Sequence, residues 1–234
     1  MIIYGKQLFL HILNKRPQIL EEIYLSKECD KKLFSKICGT GKKIIRVDNQ
    51  KAQSMAHGGN HQGFLASVSE FEFSDFSELK KLNFIAVLYG ISDVGNIGAI
   101  ARSAYALGCE GLVIVTKSVN MQGVLRSSSG AAYEIPIAIF EDGLSLLNEL
   151  KQCGFRLYAT ASNGKNIKEM KFAGKRALVM GSEGEGIPQK ALAKCDECVG
   201  IKLKDGWDSL NVSAAFAIIC DRMIDCLLYT SDAA

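Results

Sequence analysis

FIAVLYGISDVGNIGAIARSAYALGCEGLVIV, residues 84–115, decides the fold class. It opens on an apolar run, turns through small and polar residues, runs at helical period from Ile97 to Leu107, and closes on a second apolar run, Gly111–Val115. Short apolar runs that do not alternate mark strands buried on both faces, and a strand–helix–strand unit joins parallel neighbours. The rhythm continues downstream. It predicts strands over Ile135–Phe140, Arg156–Ala161, Arg176–Gly181 and Cys198–Leu203, a helical turn near Met121–Arg126, and helices over Gly143–Gln152, from Pro188, and over Asn211–Cys226. The expectation is α/β, with a mostly parallel sheet covered on both faces, over residues 83–228.

Upstream the pattern changes. Residues 1–74 predict helices over Lys6–Asn14, Lys31–Ile37 and Gln50–Met55, strands over Glu22–Leu25 and Lys43–Val47, and a long strand over Phe64–Phe73 after the loop HGGNHQG, residues 57–63. That is a small α/β layer of a size able to fold as its own domain. The polar stretch SDFSELKKL, residues 74–82, reads as a linker over 75–82, long enough to let the two parts reorient. The last residues, 229–234, read as a terminal tail outside the fold.

A chain of 234 residues with 48% hydrophobic and 23% charged residues is that of an ordinary globular protein. No apolar run approaches a bilayer span and the N-terminus lacks a cleavage-site pattern, so the expected location is cytoplasmic, with no membrane contact. Eight cysteines are irregularly spaced, most in apolar runs, and read as buried thiols. Cys195 and Cys198 form a C-x-x-C, but no second pair completes a tetrahedral set, so no metal is expected. Net charge is +3, yet residues 1–60 carry eleven Lys/Arg against five Asp/Glu, which moves any polyanion contact to the front of the chain. Lys15, Arg16, Lys42, Lys43 and Arg46 are the candidate phosphate contacts; His57 and His61 either stack on bases or close their loop.

The candidate chemistry lies at three turns. In Asn96–Arg102, Arg102 is the only charge between Val94 and Cys109, so it needs a partner, Glu183 being the candidate, or it reaches solvent. Asn96 either caps that helix or serves a site. In Gly181–Gly186, glycines that allow close backbone approach surround Glu183 and Glu185. This loop is neither a Walker A loop nor a dinucleotide fingerprint, and its carboxylates suit a neutral or cationic ligand. In Ser209–Ser213, SLNVS, polar residues precede an apolar helix that must be buried; Ser209 either caps it or takes part in chemistry.

Taken together, N-x-G-x-x-x-R at 96–102, G-S-E-G-x-G at 181–186 and S-L-N-V-S at 209–213 resemble the signature motifs of the SpoU/TrmH family, 2′-O-ribose RNA methyltransferases of the SPOUT class. The resemblance spans roughly residues 82–226, and departs where Val94 follows Asp93 and in the variable positions Trp207 and Asp208. It implies a trefoil-knotted catalytic domain, a homodimer with each site near the partner subunit, and S-adenosylmethionine as cofactor, held through Thr160, Gly181, Ile201 and Leu210. It implies that Arg102 faces the acceptor ribose, with Asn96, Glu183, Ser209 and Asn211 completing the catalytic set. Residues 1–74 resemble the L30e-like RNA-binding domain of such enzymes, with Tyr4-Gly5 and His61–Phe64 in its G and HQG elements. Such an extension favours a guanosine of 23S rRNA over transfer RNA. The rivals are a tRNA 2′-O-methyltransferase and a non-catalytic RNA-binding or ribosome-assembly protein on the same fold. A Rossmann oxidoreductase is disfavoured by the missing fingerprint.

Overall fold

The computed structural model describes residues 1–204 and 209–231, with side chains described through Asp225. Trp207, Asp208 and residues 232–234 of the expected tail lie outside the described residues, whereas 229–231 continue the last helix.

The first sheet is built from β1 (Ile2–Tyr4), β2 (Leu20–Leu25), β3 (Lys43–Arg46) and β4 (Phe64–Val68), in the order β1-β4-β2-β3. Its helices are α1 (Lys6–Lys15), α2 (Lys31–Cys38) and α3 (Asn49–Met55). β4 runs antiparallel to β1 and β2, and β3 runs parallel to β2 along the outer edge. Asp30 and Asp48 cap α2 and α3 by accepting from the backbone N–H three residues on, a bond worth about 1 kcal/mol per cap.

The second sheet contains β5 (Phe84–Tyr89), β6 (Gly111–Val115), β7 (Ile137–Phe140), β8 (Arg156–Asn166), β9 (Arg176–Gly181) and β10 (Glu197–Gly200). Every pairing in its order, β10-β8-β9-β5-β6-β7, is parallel. The connecting helices are α4 (Phe76–Leu79), α5 (Val94–Leu107), α6 (Met121–Ser127), α7 (Gly143–Gln152), α8 (Gln189–Leu192) and α9 (Val212–Ser231). The period-2 pleat divides β5: Phe84, Ala86 and Leu88 join the core that includes residues of α5 and α9, while Ile85 and Val87 join the core that includes residues of α7. Burial on both faces is why these strands read as unbroken apolar runs.

Chain order along the sheet reverses at β5. β6 and β7 lie on one side, and the chain then crosses to place β8, β9 and β10 on the other. Crevices at the carboxyl ends of strands near such a reversal are where open α/β sheets bind ligands. β8 deepens the crevice. Cys198 pairs with Ala159, but the next residue, Val199, pairs with Lys165, so residues 160–164 leave the ladder. Gly164 and Gly200 permit this: a Cβ on Gly164 would lie 2.4 Å from the Val199 carbonyl carbon.

Four expectations change. The strand expected to reach Phe73 stops at Val68, and β1, three residues long, escaped the reading. The strand expected over Cys198–Leu203 ends at Gly200. The stretch expected as a linker holds α4, capped by Asp75, with Leu79 fully buried and Phe76 against Phe140 at 5.1 Å. It is a packed element, not a free tether, because Phe76 and Leu79 share one helical face.

The two sheets are joined by direct contacts. Gln122 on α6 donates to the Ile2 carbonyl, and Arg126 lies over the Tyr4 ring at 5.2 Å. Arg16 Nε donates to Glu134 Oε1 at 3.1 Å, and His11 Nε2 lies 3.0 Å from the same oxygen. Gly130, at φ 92°, lets this seam close: a Cβ there would sit 2.6 Å from the His11 ring. Burial alone would raise the Glu134 carboxyl, but the hydrogen bonds from His11 and Arg16 outweigh it and hold the group below the usual carboxylate range.

Candidate active site

Three chain segments meet at the carboxyl end of the sheet. α5 starts at Asp93, whose side chain accepts from Asn96 N at 2.7 Å, so Asp93 is the cap and the Asn96 side chain is left for other work. β9 ends at Gly181 and enters a tight loop closed by Gly186 N donating to the Ser182 carbonyl at 3.0 Å. Gly181 has no room for a side chain, because a Cβ would meet the Gly186 carbonyl carbon at 2.4 Å. α9 begins at Val212 with Asn211, rather than Ser209, at its cap: Asn211 Oδ1 accepts from Ser213 N at 3.0 Å and from Ser213 Oγ at 2.6 Å.

One side chain ties the three together. Asn211 Nδ2 donates to Glu183 Oε1 at 2.7 Å and to Asn96 Oδ1 at 3.0 Å. Glu183 Oε1 also accepts from Val212 N at 3.0 Å, so a carboxylate sits at the positive end of α9. At an exposed helix start that placement contributes about 0.3–1 kcal/mol. Asn96, Glu183 and Asn211 therefore form a hydrogen-bonded set although 115 residues separate its ends.

Below this set lies a cleft of about 480 Å³. Its walls include Met180, Val199, Ile201, Leu210 and Ile219, and its rim carries Ser182, Glu183, Glu185 and Ser209. Thr160, Gly181, Ile201 and Leu210, the four residues expected at a cofactor, all line it. Thr160 is one of the residues freed by the break in β8, and its hydroxyl donates to the Val179 carbonyl at 3.3 Å. No Lys or Arg is among the described residues lining the cleft, so its electrostatics favour a neutral or cationic occupant.

Arg102 stands apart. It is exposed on α5 and makes no hydrogen bond or ion pair among the described residues; Glu183, its expected partner, is occupied by Asn211 and Val212. Geometry explains this: six residues along a helix is about 240° around and about 9 Å along, which puts Asn96 and Arg102 on different faces. Within one chain Asn96 does not hold Arg102.

The expected RNA contacts also divide. Lys15, Lys43 and Arg46 are exposed and Lys42 half-buried. Arg16 is taken up by Glu134 and by the Tyr133 carbonyl at the seam between the sheets. His61 is only 4% exposed, and its Nδ1 accepts from Gly63 N at 3.1 Å. It closes its loop and cannot stack on a base. Sequence reasoning overlooked Asp93, Ser182 and Ser213 as supports of the three turns; the D-x-x-N spacing of a cap was the available signal for Asp93. Cys195 hydrogen-bonds to the Ala191 carbonyl at 3.4 Å, and burial pushes its thiol up to about 12.

Residues 83–221 match the SpoU rRNA Methylase family, and residues 2–74 match the RNA 2′-O ribose methyltransferase substrate-binding family. The chain belongs to the SpoU rRNA methylase family. Among SpoU relatives, the 23S rRNA (guanosine-2′-O-)-methyltransferase RlmB of Yersinia pestis is 30% identical over 93% of this chain and 94% of its own length. The RlmB of Pasteurella multocida is 31% identical over 92% and 94%. The SpoU methyltransferase AviRb from Streptomyces viridochromogenes, solved in complex with AdoMet, superposes with a TM-score of 0.79 at 20% identity, covering 98% of this chain and 91% of that one. The TrmH/SpoU tRNA modifying enzyme of A. aeolicus has a TM-score of 0.57 at 23% identity, covering 64% of this chain and 77% of that one.

Proposed function

We propose that this SpoU-family chain transfers the methyl group of S-adenosylmethionine to a ribose 2′-hydroxyl in RNA, with a guanosine of 23S rRNA as the substrate. The observation that carries the reading is the meeting of Asn96, Glu183 and Asn211 over a cleft whose walls suit the cofactor. Gly181 lets the end of β9 close against Gly186 at the cleft wall, the apolar walls accept an adenine and the alkyl groups on a sulfonium, and Glu183 and Glu185 on the rim suit its positive charge. S-adenosylmethionine supplies an electrophilic methyl group on a sulfonium when bound. The protein's own work is then alignment of the acceptor and management of its proton.

Asn211 and Glu183 fix the start of α9 against the loop after β9, and Asn96 fixes the start of α5 to both. Ser209 lines the cleft, which supports its assignment to a hydrogen bond with the substrate. Guanidinium groups keep their protons at physiological pH, so Arg102 is assigned to orienting the 2′-hydroxyl and stabilising the oxyanion as it develops, rather than to acting as base. Its lack of a partner among the described residues supports a homodimer in which Arg102 works beside the partner's site. Tyr105 on α5 and Ile218 on α9, 48% and 44% exposed on helices that pack together, support the same assembly. Residues 2–74 act as the substrate-binding domain and residues 83–228 as a trefoil-knotted catalytic domain. We place the activity in the cytoplasm; no helix among the described residues is long and apolar enough to cross a membrane.

The near-full-length likeness to RlmB favours ribosomal over transfer RNA. The test is incubation with methyl-labelled S-adenosylmethionine and 23S rRNA from a strain lacking the equivalent enzyme, followed by nucleoside analysis. Label in 2′-O-methylguanosine is the expected result; label on a base, or none, rejects the assignment.

A further inference from the structure

We infer that the outer edge of the first sheet carries a base-stacking platform for unpaired RNA, centred on Phe34 and Arg46. The inference rests on the substrate-binding role proposed above for residues 2–74 and names where in that region an RNA strand is gripped.

The edge is formed by β3, which among the described residues pairs only with β2. Phe34, on α2, is 37% exposed, one of four large hydrophobics left open to solvent among the described residues. The Arg46 guanidinium stands over its ring at 5.6 Å from the centroid, and Arg46 Nη1 donates to the Lys27 carbonyl at 3.0 Å, which fixes the group in place. Residues 27–46 hold seven Lys/Arg against two Asp/Glu, a larger positive excess than the +3 of the whole chain, so the edge favours a polyanion. Lys43 is paired with Glu22 at 2.9 Å, but Lys27, Lys31 and Lys42 have no hydrogen-bond or ion-pair acceptor for their ammonium groups among the described residues.

Lysines alone would serve to keep an edge strand from pairing with another chain. An exposed phenylalanine beside them works against that purpose, since it adds apolar surface where solubility asks for charge. Ring and cations together have a different logic: phosphates are drawn by the ammonium groups, and an unstacked base finds two flat surfaces, a phenyl ring and a guanidinium. Duplex RNA presents no free base face to such a platform, so the occupant is a single-stranded loop or end.

The experiment measures binding of the full chain to a short fluorescein-labelled single-stranded RNA of mixed sequence by anisotropy, across a series of salt concentrations and without cofactor. Phe34→Leu keeps the apolar bulk of the helix position and removes the ring; it is expected to weaken binding by roughly 5- to 150-fold, the range of one lost base stack, with the salt dependence unchanged. Phe34→Tyr is expected to bind as the unaltered protein does. Lys42→Gln is expected to flatten the slope of log affinity against log salt by about 0.7, one phosphate on a single strand. Unaltered affinity in Phe34→Leu, equal weakening in Phe34→Tyr, or no binding by the unaltered protein overturns the inference. A chain that binds RNA through Phe34 yet transfers no methyl group would refute the proposed catalysis and leave the platform standing; an active enzyme indifferent to Phe34→Leu would do the reverse.

Discussion

Replacing Asn211 by Asp separates two jobs that one side chain performs. Oδ1 caps α9 through Ser213, while Nδ2 joins Glu183 at 2.7 Å and Asn96 at 3.0 Å. Asp and Asn cap helices about equally well, so Asn211→Asp keeps the first job. It removes two donated hydrogen bonds of about 0.5–1.5 kcal/mol each and sets a second carboxylate against Glu183, a repulsion of about 1.5 kcal/mol even at the dielectric of water. The sum, about 2.5–4.5 kcal/mol, falls on the junction of three surface turns, which can splay without unfolding the core. Carried into the transition state it lowers kcat/KM by roughly 10²- to 10³-fold, while Tm falls by less than about 5 °C. Facing carboxylates raise the affinity of one of them for a proton, and that proton restores a donor between them. A group whose folded pKa is raised contributes stability at low pH and loses it as pH rises, so the variant should recover activity relative to the unaltered enzyme as pH is lowered from about 8 towards 5. Single-turnover methyl transfer to 23S rRNA, paired with calorimetry, reads both quantities. Unchanged kcat/KM, or a loss of activity matched by a Tm drop above about 15 °C, would refute the positioning role assigned to Asn211.

Three further outcomes are expected. Arg102→Ala should abolish methyl transfer and leave S-adenosylmethionine affinity near that of the unaltered chain by titration calorimetry; a fully active variant removes Arg102 from the mechanism. Gly181→Ala forces a methyl group to within 2.4 Å of backbone at Gly186, and should cost about 1–3 kcal/mol of stability and most of the cofactor affinity, read by denaturation and by calorimetry. The Glu134 carboxyl is held low by His11 and Arg16 against the opposing effect of burial, so its contribution is present above the ordinary carboxylate range and lost as pH falls through its lowered value. Glu134→Gln should flatten the acid limb of a Tm-against-pH curve, and an unchanged limb argues against the seam as an acid-labile contact.

The catalytic sheet was legible because burial on both faces leaves strands such as Phe84–Tyr89 and Arg176–Gly181 without polar interruptions, so that residues alone outline them. The meeting of Asn96, Glu183 and Asn211 was legible only through the resemblance; nothing in local pattern says that turns so far apart in sequence converge. Other features lay beyond local reading for physical reasons. β4 stops at Val68 although alternation continues to Phe73, because Ser74 N donates instead to the Ile137 carbonyl at 2.8 Å and draws the chain towards the other sheet. Leu79 lies in the polar stretch that reads as a linker, yet it joins the core with residues of β5 and β6. The role of His61 turned on a single backbone N–H, that of Gly63, which composition cannot reveal.

The seam closed by Gly130, Gln122 and Arg16 gives the two proposed roles a common frame. If RNA is gripped on the first sheet and modified at the second, as proposed above, a seam that does not yield would choose a nucleotide by its distance from a handle and not by its base alone. RNA whose helix between handle and target is lengthened or shortened should then be held without being modified, or modified one residue out of place.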